Sequence, residues 1–139
     1  MSDLALSAIR GAALTFTGDP FSEPSDSAIR YERDAILVME DGLITEFSDA
    51  ATLLPALPDG VEVTTYPDSL ILPGFIDCHV HYPQTQIIGA GGEALIDWLD
   101  KYTFVAEQAF AERDHASESA EVFCDELLRN GTTTASVFC

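Results

Sequence analysis

The stretch Leu70-Ile71-Leu72-Pro73-Gly74-Phe75-Ile76-Asp77-Cys78-His79-Val80-His81-Tyr82-Pro83-Gln84 decides how the rest of the chain is read. An apolar run, Leu70 to Leu72, leads in and breaks at Pro73-Gly74; Phe75 to His81 then reads as a strand. Side chains on a strand alternate faces, so His79 and His81 project from one face, their roots roughly 6.6 Å apart at ~3.3 Å per residue. Two imidazoles at that spacing can converge on one cation through bonds of about 2.0–2.1 Å. Cys78 and Val80 point the other way, into a packing layer. A bare His-x-His is also compatible with ordinary exposed or hydrogen-bonded histidines. Here the pair closes an apolar strand after Pro-Gly, and Pro83 ends that strand, which favours the metal. Asp77 shares the histidine face, either to orient an imidazole or to accept a structural hydrogen bond.

Working outward, PGFIDCHVH (73–81) resembles the first-strand motif of the amidohydrolase superfamily, metal-dependent hydrolases on a (β/α)8 barrel. HYPQTQIIGA (81–90), DWLDKYTF (97–104) and LLRNGTTTA (127–135) narrow the resemblance to the guanine deaminase branch. The likeness is close from Leu70 to Cys139 and extends to residues 1–69 only in layout. It implies hydrolytic deamination of guanine to xanthine and ammonia, with one zinc ion per active site. It implies His79 and His81 as the first two metal ligands. His81, Tyr82, Pro83 and Gln84 match the substrate-contacting turn, Gln84 being expected to hydrogen-bond the purine. The remaining ligands and the acid/base residue are expected beyond Cys139, and the full-length protein is expected to be a homodimer. Two positions depart from the branch: Gly92, usually aromatic, and Val105, usually proline.

The expected fold class is therefore α/β: a partial (β/α)8, or TIM, barrel preceded by part of a small β-sandwich. Residues 1–69 would be the N-terminal share of the sandwich and residues 70–139 the first βαβ unit. A complete barrel needs roughly 200 residues or more, so a chain of 139 is expected to be an N-terminal piece, inactive by itself and a weak metal binder.

Six basic against 24 acidic residues give a net charge of −18. That argues against nucleic acid, whose phosphates are met by Lys and Arg, and against anionic membranes. The three cysteines, Cys78, Cys124 and Cys139, lack metal-type spacing and do not form a disulfide framework; Cys78 and Cys124 read as small core residues. With no basic-then-apolar leader and no apolar run near ~20 residues, a cytoplasmic location is expected.

Leu4 to Phe16 reads as one or two strands, with a bend at Gly11, and Thr17 to Ser27 as a loop. Ala35–Glu40 and Leu43–Phe47 flank Asp41-Gly42, a pair suited to a type I′ hairpin turn. A short helical turn stopped by Pro55 and Pro58 is expected within Asp49 to Leu57. Val61 to Tyr66 completes a small antiparallel sheet. Further on, Glu93 to Tyr102 reads as a helix with Leu95, Trp98, Leu99 and Tyr102 on its apolar face; Trp98 serves either the core or a pocket wall. Glu107 to Arg113 reads as charged surface. Asp114 is the expected N-cap of a helix ending at Asn130-Gly131, with Ala116, Ala120, Phe123, Leu127 and Leu128 as its buried stripe. Thr132 to Cys139 reads as a β-branched strand, parallel to the first across the connection. His115, in the first turn of that helix, is not expected to bind metal.

Two other functions compete. One is another amidohydrolase acting as a deaminase or chlorohydrolase on a different heterocycle, an s-triazine for example. The other is a non-enzymatic acidic interaction module. The cytidine-type zinc deaminase is excluded, because it needs H-x-E with P-C-x-x-C and neither occurs.

Overall fold

β1 (Ser7–Phe16) is central to a four-stranded sheet of order β3-β2-β1-β4, with β2 spanning Ile29–Glu40, β3 Leu43–Asp49 and β4 Glu62–Ile71. The structure, a computed structural model, describes residues 6–92 and 94–139. Leu4 and Glu93, each placed at an element's start by the sequence pattern, lie outside the described residues. The chain has two units, Met1–Pro73 and Gly74–Cys139.

In the first unit β2 runs antiparallel to both β1 and β3, whereas β4 runs parallel to β1. The expectation of a purely antiparallel sheet is corrected there. A parallel partner needs a crossover connection, and the chain from β2 through β3 and the helical turn Ala50–Leu53 supplies it. Gly11 marks the bend. On one side the register shifts between Gly11 and Ala13; on the other Gly11 faces Tyr66 while Ala12 faces Leu70. The residues between, Pro67 to Ser69, bulge out of the ladder. Proline has no N–H to give a ladder, so a bulge is where it is tolerated. A Cβ on Gly11 would stand 2.8 Å from the Tyr66 carbonyl oxygen, too close for any other residue without movement.

The hairpin turn is as its chemistry requires, with φ of 59° at Asp41 and 78° at Gly42. β2 begins six residues before the predicted strand. Its early part, Ile29 to Asp34, is charged and half-exposed, so alternation of polarity could not reveal it. Two devices hold that part: the Arg10 guanidinium pairs with both oxygens of Asp34 at 2.7 Å, and Arg30 lies over the Phe47 ring at 4.4 Å. Within the predicted loop, Ser25–Ala28 forms one helical turn, α1. Asp49 caps α2 (Ala50–Leu53) by accepting from the Thr52 backbone N–H. Pro55 sits inside the following 3-10 turn, Leu54–Ala56, as its second residue rather than stopping the helical segment. The core of this unit is Ala8, Ile36, Val38, Ala50 and Leu53.

The second unit contains β5 (Phe75–His81) and β6 (Thr132–Phe138) as a parallel pair. Between them come a 3-10 turn (Tyr82–Ile87), α3 (Leu95–Trp98), a π-helical turn (Leu99–Thr103), α4 (Phe104–Gln108), a 3-10 turn (Ala109–Ala111) and α5 (Arg113–Arg129). Leu70 and Ile71 close β4 instead of opening the histidine strand, so that strand begins after Pro73-Gly74. The region read as surface, Glu107 to Arg113, is partly helical. Glu112, not Asp114, holds the N-cap position of α5, with no side-chain cap bond. Asn130 and Gly131 end it, Gly131 at φ 79°. Of the expected stripe, Phe123 is buried while Leu128 is 64% exposed. Cys78, on β5, and Cys124, on α5, are exposed, not core. No described helix is long and apolar enough to cross a membrane.

Candidate functional site

Gly74 lets β5 start where it does. A Cβ there would collide with the Thr133 side chain on β6, and just after it the Phe75 N–H donates to the Gly131 carbonyl at 2.8 Å. From this anchor the register shifts once, Phe75 facing Thr132 and Ile76 facing Thr134, so that Thr133 is the extra residue on β6, and Asp77 then lies opposite Ala135. The ladder resumes at Val80, opposite Val137, so β5 carries one extra residue there. Asp77 explains the break. Its Oδ1 accepts the His79 backbone N–H at 3.0 Å, withdrawing that donor from the ladder. Of the two roles open to Asp77, the structure shows the structural acceptor. Bulges of this sort re-aim side chains.

The outcome is convergence. Nε2 of His79 and Nε2 of His81 lie 3.0 Å apart, and the ring centroids 5.0 Å. Two neutral imidazole lone pairs facing each other at that distance repel unless a proton or a cation lies between them. Tetrahedral zinc with nitrogen bonds of about 2.0–2.1 Å holds two ligand nitrogens ~3.3 Å apart. The pair therefore fits a metal as two members of a ligand set. Among the described residues no cluster of three or more His, Cys, Asp or Glu side chains could hold an ion. Phe138, opposite His81 at the end of β6, stacks on both rings at centroid distances of 4.4 and 5.2 Å. Sequence reasoning missed it, since only the β5–β6 register brings it there.

Beyond His81 the chain turns through the 3-10 segment. Pro83 is its second residue, in the first turn where a fixed φ and a missing N–H are tolerated, and is buried. The Tyr82 ring packs edge-on against Phe110 at 5.0 Å, and the Tyr82 carbonyl accepts from the Thr85 hydroxyl. Gln84 points elsewhere: its Nε2 donates to Glu107 Oε1 at 3.3 Å. An open hollow of about 510 Å³ at the end of β5 is lined by His79, His81, Gln84, Ile88, Trp98 and Phe123 among others. So the structure gathers His79, His81 and Gln84 at one hollow, and directs Tyr82 and Pro83 into packing. Trp98 is half-buried; it lines the hollow, and its Nε1–H donates to the Ala90 carbonyl at 2.7 Å. That bond pins the glycine-rich stretch. Gly92 is part of the same contact, since a Cβ there would sit 2.7 Å from Trp98 Cβ. His115 lies apart, edge-on to Phe110 at 4.8 Å.

Residues 70–138 match the amidohydrolase family. This chain belongs to the amidohydrolase family. The guanine deaminase of Escherichia coli is 39% identical over 135 residues, which are 96% of this chain and 30% of that protein. An E. coli guanine deaminase structure superposes with a TM-score of 0.87, over 96% of this chain and 31% of that one. Guanine deaminase from Bradyrhizobium japonicum gives 0.87 at 39% identity, over 97% and 29%. The enzyme from C. acetobutylicum, solved with guanine in its active site, gives 0.74 at 27% identity, over 96% and 30%. This amidohydrolase chain thus spans about a third of the length of the relatives it matches, and in it the family match begins at the end of β4 and runs through β6.

Proposed function

We propose that the complete protein is a zinc-dependent guanine deaminase, in which the unit up to Pro73 is the N-terminal share of a β-sandwich and the unit from Gly74 opens a (β/α)8 barrel. The observation that carries this reading is the convergence of the His79 and His81 Nε2 atoms at 3.0 Å on the last turn of β5. Barrel enzymes build their sites at the C-terminal ends of strands, which is where this pair stands. The relatives' names and the guanine bound to one of them support the purine as substrate.

In this reading His79 and His81 hold the metal, with further ligands and the acid/base group supplied by later strands. When bound, the metal supplies the acidity that makes water a nucleophile near neutral pH. Phe138 keeps the two imidazoles aligned by stacking. Gln84 binds the purine through its amide, and Trp98 walls the hollow against bulk water. Water's oxygen replaces the exocyclic amine of guanine, which leaves as ammonia, and a proton must be delivered as it leaves. The full-length protein acts as a homodimer in the cytoplasm.

The test is a substrate panel on the complete, zinc-loaded gene product: guanine, other aminopurines, aminopyrimidines and an s-triazine, with xanthine and ammonia measured. Guanine should show the highest kcat/KM. Faster turnover of another heterocycle overturns the substrate, and no hydrolysis of any member overturns the enzyme.

A further inference from the structure

The helical segment after the glycine-rich stretch is interrupted by a π-turn, Leu99–Thr103, while its backbone stays helical from Leu95 through Gln108. Trp98 and Glu107 are nine residues apart. At about 100° per residue a regular helix would place them on opposite faces. The π-turn absorbs one extra residue and takes back about 100° of that rotation. As a result Trp98 lines the hollow and Glu107 reaches Gln84, which lines the same hollow. The turn is kept at a cost. Thr103, which ends it, is 2% exposed, and its hydroxyl has no hydrogen-bond partner among the described residues.

The bond so delivered has a direction. A carboxylate offers only acceptors, so the amide group facing Glu107 must be the nitrogen of Gln84. The planar amide then presents its oxygen on the other side. Without Glu107 the amide could turn either end toward a ligand, and would present a donor as readily as an acceptor.

We infer that Glu107 is a positioning residue, which through Gln84 and by way of the π-turn selects a purine edge bearing an N–H donor. This rests on the reading of Gln84 as a purine contact. Glu107 does not touch the reacting atoms; it fixes which end of the Gln84 amide the substrate meets.

The test is a double-mutant cycle on the complete, zinc-loaded gene product, reading KM and kcat for guanine separately. Glu107→Gln keeps the size but removes the obligation to accept, and should raise KM about tenfold with kcat within about twofold, as expected for a lost hydrogen bond to a charged group. Glu107→Asp, which keeps the charge and shortens the reach, should show the same rise, and covers the case in which Glu107→Gln folds poorly. Gln84→Ala should raise KM at least as much. In the Gln84→Ala background Glu107→Gln should add less than about twofold, because its effect passes through the missing amide. An equal rise in both backgrounds, or none in either, overturns the positioning role. If Gln84→Ala leaves KM unchanged, the purine contact itself fails and takes the inference with it. If Gln84→Ala raises KM while both Glu107 variants leave it unchanged, the contact stands and only the positioning falls.

Discussion

The two units of this chain divide structure from chemistry. The first unit, up to Pro73, pairs four strands, buries a continuous cluster around Ile36, and ties its surface with capped and paired carboxylates. The second, from Gly74, pairs only two strands and leaves Ile76 and Leu95 each 69% exposed, yet it holds both converging histidines and Gln84. A two-stranded sheet is marginal without further cover, and open edges invite pairing. The contrast shows that a site can be assembled locally, by a bulge and a register, on an element that has little core of its own.

The largest effect that would sharpen this division is the loss of a histidine. His79→Ala in the complete gene product should lower kcat/KM for guanine by more than about a hundredfold, beyond what loss of an outer-shell partner costs. The first unfolding transition should not move; a shift in it would break the division. Next comes Ile36→Ala, which empties a fully buried position and should cost about 2–5 kcal/mol, read as a lower urea midpoint for the first unit. An unchanged midpoint would mean that unit does not depend on its own core. Gly74→Ala forces a Cβ into the Thr133 side chain, its own Cβ included, and should cost about 1–3 kcal/mol, with Thr133→Gly, which removes that Cβ too, restoring part of it; failure of that rescue would put the strand start elsewhere.

The smallest effect is on acidification. Hydrogen bonds from the Arg10 guanidinium hold Asp34 below the usual carboxylate range. The Thr52 side chain and backbone do the same for Asp49, and Ser22 and the Phe21 N–H for Asp19. Each folded carboxyl is then more acidic than its unfolded counterpart, so the unfolded chain binds more protons as pH falls. Their stabilisation is present above about pH 4 and lost as pH drops through the lowered values. Acidification also relieves the repulsion of a −18 chain, so the comparison is with Asp34→Asn/Asp49→Asn. Urea midpoints between pH 7 and 3 should fall less steeply in that variant; parallel curves would show that these bonds do not report on the first unit.

What the residues declare by themselves is local. Phe75 to His81 is a strand with the histidines on one face because alternation and Pro-Gly punctuation are written in neighbouring positions. Asp41-Gly42 turns, and Asn130-Gly131 ends a helix, because few residues tolerate positive φ. The same local rules could not see Ile29 to Asp34 as strand, since its alternation is blurred by charge, nor could they expose Cys78 and Cys124, whose cover depends on what else packs there. Only the tertiary structure set β4 parallel to β1, brought Phe138 onto the imidazoles, and carried Glu107 to Gln84 by way of the π-turn. Those outcomes join residues far apart in the chain, and their energies come from register and packing, which no short window of sequence contains.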